Sequence, residues 1–540
     1  MKHTRDPNRV YIFDTTNRDG EQATEGARFG IESKLETAHA LAKANIDRIE
    51  AGYPSSSPAD FEAVQKIARE VHGPMIFGLS HVPVEGKEND NGIEAISSTY
   101  NAVKDADYRG IHLFSIMFDS FSLVKYGYTR VQVVEGAVRG VVHARKLLGS
   151  NGQVEFSFQN ATNCPLESII NGYRRMVDAG ANVINVPDTI GYSHPEEITE
   201  VISTLRKELP KDVMISIHCH NDLGLAVANS LAAVKAGADI IEGTINGIGE
   251  RAGNASIEEV VMNIATRKDK FNGRTVGIKT KMLNPLSKLV SYHYDMPVQQ
   301  NKAIVGDNAF RHRSGIHQDG MVKGDLYEII KPKQVGWDGE SFDLTARSGY
   351  AGVALRLRRL GYDTSDKTLK KKVMPGFKTL ADGKGKIGDA DLVCLMDCIN
   401  KTGKDKYSFT DMAIKKDYGS SYSATVKLNE GGQEISSGYI IGNNKNGLSR
   451  HGAIDALFTA VDIMVNKPED LHLVLYHPIN IGSGSDAAAE VTVILSKIPQ
   501  FDGKITPFNG MYIGRARHED TLTASVMAYV NALNKVQIAI

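Results

Sequence analysis

A chain of 540 residues with 41% apolar residues and a formal net charge of −1 describes an ordinary globular protein. The even charge balance excludes a general nucleic-acid binder, and no apolar run reaches the length of a membrane span. Four cysteines in this length exclude a disulfide framework, and the opening MKHTRDPNRVYIFD lacks a signal-peptide core, so a cytoplasmic protein is expected.

From residue 10 to about 265, short β-rich runs alternate with stretches of 3.6-residue apolar spacing. The strands are VYIFDTT, IDRIEAGYP, MIFGLS, IHLFSIM, VEFSFQN, NVINVPDT, MISIHCHND and DIIEGTIN. Eight such units predict an α/β fold, a (β/α)8 TIM barrel over 1–270, with an open doubly wound sheet as the weaker alternative. Polar residues gather at the C-terminal strand ends: Asp14 to Arg18, Glu50, His112, Gln159, Asp188 with Thr189, and His218 to Asp222. In a barrel those ends form the catalytic face. Glu50 reads either as a partner that orients a ligand or as an ion pair with Arg48.

Residues 271–400 read as helical, and Pro375-Gly376 is expected to break any long helix there. Residues 401–540 carry an internal repeat. Thr425-Val426 recurs as Thr492-Val493, and the helix start at His451 recurs at His518, both at an offset of 67 residues. The pattern predicts a duplicated α+β unit. A small effector at its seam and a purely structural dimerisation role remain equal readings, and the loop holding Gly482, Gly484 and Ala487 serves as effector contact or plain turn.

His218 and His220 flank Cys219 on a strand, so both rings point to one face and Cys219 to the other. Two imidazoles on one face fit a shared divalent ion or two satisfied core histidines. Asp19 after the first strand and Asn254 after the eighth could complete a mixed nitrogen–oxygen set, which does not select among Mg, Mn, Zn or Co. The glycines of NGIGERAGN do not match a dinucleotide fingerprint.

RDGEQ, HCHNDLG and NGIGERAGN, in this order, resemble the DRE-TIM metallolyase family. IEAGYPSSSPADFEAV, SGIHQDG, YEIIKPKQVGW and AYVNALNK extend the likeness to the 2-isopropylmalate synthases over nearly the whole chain. The resemblance implies a metal-dependent acyl-CoA acyltransferase that condenses acetyl-CoA with 2-oxoisovalerate in leucine biosynthesis. Citramalate and homocitrate synthases, which use other 2-oxoacids, and a non-catalytic amino-acid-binding paralogue are the alternatives.

By the same resemblance, Asp19, His218, His220 and Asn254 hold a divalent ion (Mg, Mn or Zn). Arg18 stabilises the developing oxyanion. His112, Ser157, Gln159 and Thr189 line the substrate pocket, with Thr189 on the oxoacid carboxylate. His317 and Tyr327 reach the site from the other subunit of a homodimer, so residues 271–400 would complete it. Residues 401–540 would form a regulatory domain with leucine as effector.

One motif departs from the family. FSFQNAT carries Gln159 and Asn160 where F-S-x-E-D-A is usual, and an amide cannot serve as a general base. Three readings follow: a positioning group that glutamine replaces, a branch with another acceptor, or an inactive paralogue. His81 likewise stands where many relatives have arginine.

Overall fold

The computed structural model describes residues 5–23, 30–87, 90–116, 118–312, 327–338, 343–366, 368–384, 386–400, 405–417, 421–441, 452–481, 488–497 and 511–538. By packing, the chain divides into two units, 1–310 with 329–339, and 311–328 with 340–540.

The first unit is the barrel. Its strands are β1 (Arg9–Asp14), β2 (Arg48–Glu50), β3 (Met75–His81), β4 (Arg109–Ser115), β5 (Gln153–Phe158), β6 (Val183–Asp188), β7 (Met214–Cys219) and β8 (Ile240–Gly243). Each pairs in parallel with the next, and β1 pairs with both β2 and β8, which closes the ring. A two-residue strand, β9 (Thr275–Val276), extends β1 at its start.

Alternation along each strand separates two environments. On β7, Ile215, Ile217 and Cys219 join the large core beneath the helices, and Cys219 is fully buried there. Met214 belongs to a separate small cluster with Tyr11, Phe13, Met75, Phe77, Val183 and Ile240, which fills the barrel's interior. The helices follow from sequence in the same way. Pro58–Glu70 starts where Ser57 accepts a bond from the Asp60 amide with proline in the first turn, and it buries Ala63, Val64, Ile67 and Ala68. Burying Val64 and Ile67 contributes about 1.5–3 kcal/mol each.

The second unit holds the helices Tyr350–Arg359, Leu369–Lys384 and Asp389–Asn400, and a two-strand pairing of β10 (Leu344–Thr345) with β11 (Lys386–Ile387). The expected break at Pro375 is absent: the helix Leu369–Lys384 runs through it. Leu369, Val373, Phe377 and Ala381 form one buried stripe against Leu344, Leu357 and Leu392. That packing outweighs the roughly 3 kcal/mol cost of an interior proline.

The duplication is present as two antiparallel three-stranded sheets, each followed by a helix. β12 (Tyr407–Asp417), β13 (Ser421–Glu430) and β14 (Gln433–Ile441) precede the helix Ala453–Val465. β15 (His472–Ile481), β16 (Ala488–Ser496) and β17 (Met511–His518) precede Thr521–Ile538. Thr425 and Thr492 lie on the two central strands, whereas His518 ends β17 and opens no helix. His451, Gly482, Gly484 and Ala487 lie outside the described residues. The two helices share one core, in which the Tyr529 hydroxyl donates to Asp462 at 2.7 Å and its ring stacks on Phe458 at 4.0 Å. Among the described residues no helix is long and apolar enough to cross a membrane.

Candidate active site

The inward positions change character toward the C-terminal mouth of the barrel. Low in the interior, Arg48 on β2 pairs with Glu155 on β5 at 3.3 Å and lies over the rings of Tyr11 and Phe77. One layer higher, Glu50 accepts from Arg18 Nε at 2.5 Å and faces His112 Nδ1 at 2.8 Å. Glu50 therefore pairs with Arg18 and His112, not with Arg48.

His112 continues the network through Nε2 to Ser157 Oγ at 2.7 Å, and Asn185 donates to the same oxygen at 2.9 Å. Burial works against a charge on His112, but the carboxylates of Glu242 and Glu50 raise its pKa to about 9, so it is an imidazolium near neutrality. Burial likewise opposes the Glu50 charge, and Arg18 and His112 more than offset it, holding its pKa near 2. Arg18 also lies 3.4 Å from Asp19 and keeps its charge against the cost of burial through Glu50 and Asp19.

Asp19, His218 and His220 converge beside this network, their ligand atoms all within 4.8 Å of one another and each residue buried. His218 Nε2 is 3.2 Å from His220 Nε2 and 3.5 Å from Asp19 Oδ2. Burial lowers both histidines to about 4 against the opposing pull of the Asp19 carboxylate, so each ring is neutral and keeps a nitrogen lone pair. Burial opposes the charge on Asp19, and Arg18, with the Asn254 amide that donates to it, overcomes that cost, leaving a carboxylate pKa below its ordinary value. Asn254 Nδ2 donates to Asp19 Oδ2 at 2.6 Å, while its Oδ1 is buried without a partner. One anionic oxygen, two neutral imidazoles and an unpaired amide oxygen form a donor set that fits a divalent cation.

Backbone geometry holds Asn254 in place. Gly253 has φ +90°, and a Cβ there would strike the Gly247 carbonyl. A Cβ at Gly249 would strike the Asn254 amide. The glycines of NGIGERAGN thus let the loop close over the site.

Arg18, Asp19, His112, Ser157, Gln159, Thr189, His218 and His220 line one cavity of about 220 Å³ at the barrel mouth. Thr189 Oγ1 accepts from the Asn160 amide at 2.8 Å, so its proton is available to a ligand. Asn160 has φ 58°, a conformation asparagine tolerates, and donates from Nδ2 to Asp119 Oδ2 at 3.1 Å. Tyr327 lies in the second unit and is 48% exposed, and His317 falls outside the described residues.

The HMGL-like family matches residues 9–290, more than half of the chain. The homocitrate synthase post-HMGL domain-like family matches 304–385, and the LeuA allosteric (dimerisation) domain matches 386–537. Proteins named 2-isopropylmalate synthase from Pyrococcus furiosus and Methylacidiphilum infernorum are each 40% identical over 98% of this chain, covering 99% and 98% of their own lengths. The protein of that name from Rhodopseudomonas palustris is 41% identical over 98% of this chain and 94% of its own.

The chain belongs to the 2-isopropylmalate synthase family. The barrel strands β1 to β8 lie within the HMGL-like match, and the LeuA match takes in both sheet–helix units except the last residue of the second helix. Against this family background, three site residues escaped the sequence. Asn185 on β6 and Glu242 on β8, whose Oε2 is 3.0 Å from His218 Nδ1 though not aligned for a hydrogen bond, each stand alone in an apolar run. Strand alternation would have turned both inward. Tyr53, from the loop after β2, also lines the cavity, and only the closed barrel brings it there.

Proposed function

We propose that the chain joins acetyl-CoA to 2-oxoisovalerate and hydrolyses the thioester, yielding 2-isopropylmalate and free CoA on the route to leucine. The observation that carries this reading is the buried Asp19–His218–His220 cluster with Arg18 beside it, set in a chain that belongs to the 2-isopropylmalate synthase family.

Asp19, His218 and His220, with the Asn254 amide beside them, would hold the divalent ion (Mg, Mn or Zn). Such an ion, when bound, acts as a Lewis acid on the oxoacid carbonyl. The chain's own groups do the rest. Thr189 donates to the oxoacid carboxylate. A base removes one methyl proton from acetyl-CoA, the resulting enolate carbon bonds to the oxoacid C2, and the C2 oxygen takes the electron pair and then a proton from the protonated base to become the product's hydroxyl. Arg18, held charged and oriented by Glu50, faces that oxygen and stabilises it. Water then cleaves the thioester and CoA leaves as the thiol. Gln159 is a neutral positioning amide, and proton removal falls to His317 or Tyr327 from the partner subunit of a homodimer. Leucine binds the duplicated C-terminal region and inhibits, and the enzyme works in the cytoplasm.

The test is CoA release by the purified protein with acetyl-CoA, Mg or Mn, and a panel of 2-oxoacids. Preferred turnover of 2-oxoisovalerate supports the proposal. Preference for pyruvate or 2-oxoglutarate moves the chain to a sister synthase, and silence across the panel with metal bound makes it a non-catalytic relative.

A further inference from the structure

A second chamber of about 290 Å³ opens beside the acceptor cavity within the barrel unit. The two share only Arg18, Gln22 and Tyr53 among their lining residues. Tyr53 is fixed at both ends. Its backbone amide donates to Asp60, which also binds Lys34 at 2.5 Å, and Lys34 in turn binds Glu21 at 2.7 Å. Its hydroxyl lies 2.6 Å from His81 Nδ1, and His81 Nε2 lies 3.0 Å from Asn91 Oδ1. An imidazole that donates from Nε2 to the Asn91 oxygen must accept at Nδ1, so Tyr53 is the donor of this pair. The ring itself meets Phe114, an acceptor-cavity residue, edge-on at 5.9 Å between centroids. No freely rotating side chain would be pinned at backbone, ring and hydroxyl together.

We propose that Tyr53 is the wall between the 2-oxoacid cavity and a chamber that takes the thioester-bearing arm of the acyl donor, and that His81 is the positioning residue that holds this wall. The proposal rests on the condensation reaction assigned above. Two molecules must meet carbon to carbon, one of them in the cavity with Thr189 and the metal ligands. The chamber is the neighbouring space that shares Arg18, the group placed for the developing oxyanion. Its lining suits a chain of amides and methylenes: Gln22, Ser56 and Ser57 offer polar partners, and Ile31, Ala59 and Ala63 an apolar side. A wall of fixed position then limits how large an acceptor side chain can be before it intrudes on the donor.

The test compares wild type with Tyr53→Ala, Tyr53→Phe, His81→Ala and the Tyr53→Phe/His81→Ala double variant. Calorimetry measures acetyl-CoA binding, and CoA release with 2-oxoisovalerate and a one-carbon-longer branched 2-oxoacid measures acceptor range. Tyr53→Ala should weaken acetyl-CoA binding about tenfold and raise turnover of the longer acceptor relative to 2-oxoisovalerate. Tyr53→Phe and His81→Ala should each weaken binding a few-fold with kcat nearly unchanged, and the double variant should equal the larger single effect. Unchanged binding and acceptor range in Tyr53→Ala would overturn the proposal, as would additive effects in the double variant. The conservative Tyr53→Phe change guards against misfolding as the cause. Binding is read without turnover. A wild type that binds acetyl-CoA but releases no CoA would therefore sink the reaction, while weaker binding by Tyr53→Ala would still support the chamber.

Discussion

On one side of the barrel mouth, at the ends of β1, β2, β7 and β8, buried charge is answered by buried charge: Asp19 by Arg18 and Arg18 by Glu50. On the opposite side, at the end of β5, Gln159 and Asn160 present amides, and Asn160 spends its side chain on Asp119. The first side is expensive to bury and stable only as a set, because removing one partner strands another charge in a low-dielectric interior. The second holds one carboxylate, Asp119, met by neutral donors, so Gln159 can change with little electrostatic consequence. Substitutions on the charged side should therefore be far more damaging than substitutions on the amide side.

The largest effect belongs to His218→Ala. It should lower turnover by at least about 10³-fold, since metal polarisation supplies several kcal/mol of transition-state stabilisation. Calorimetry with Mn should show loss of tight binding while circular dichroism stays native. Near-normal turnover would end the comparison, because the charged side would then have no catalytic role.

Next comes Arg18→Gln. A lost oxyanion partner costs about 10²–10³ in kcat. Here Glu50 would also lose its strongest counter-charge, so a fall in thermal stability should accompany the fall in kcat. A rise in KM with kcat intact would instead place Arg18 in ground-state binding.

Glu50→Gln separates electrostatics from contact. Positioning changes of this kind cost about 10–100-fold. The pKa of His112 stands near 9 in the folded protein, above its ordinary 6.5. Its charge therefore stabilises the fold fully below about 6.5, and that contribution is lost as pH rises through 9. Removing the Glu50 charge should move that loss to lower pH, which NMR titration of His112 and denaturation against pH both read. An unmoved His112 titration would show that Glu242 alone sustains the imidazolium.

How much of this the sequence disclosed follows from the range of each interaction. His218 and His220 were legible because a strand repeats every two residues, and so was the seclusion of Cys219. Asp19 and Asn254 could be grouped because a closed barrel sets its first strand beside its eighth, but the hydrogen bond between them, across 235 residues, is visible only in the fold. Of the two readings of Glu50, the ion pair with Arg48 failed for the same reason, while a partner that orients another group is what Arg18 and His112 find in it. Arg48 and Glu50 face one interior, but at different heights, and each finds its partner across the barrel. Pro375 taught the converse, since a strong local signal yielded to a buried stripe four residues apart.

The smallest effect is expected at Gln159→Glu. Gln159 lines the cavity and is only partly buried, and its backbone carbonyl is already fixed by the Phe118 amide at 2.9 Å. A glutamate there would be isosteric and would keep water's help in carrying its charge, so stability should change by less than about 0.5 kcal/mol. Asn160→Asp should cost more, about 1–3 kcal/mol, because it exchanges a donor for a second carboxylate facing Asp119. If residue 159 only positions the substrate, Gln159→Glu should leave kcat within about threefold of wild type, whereas a restored general base should raise it by about 10²-fold or more. A rise of that size would mean that this chain works with its proton-abstracting group missing. The amide side would then be a weakened part of the machinery and not a tolerant one, and the contrast between the two sides would reflect loss and not design.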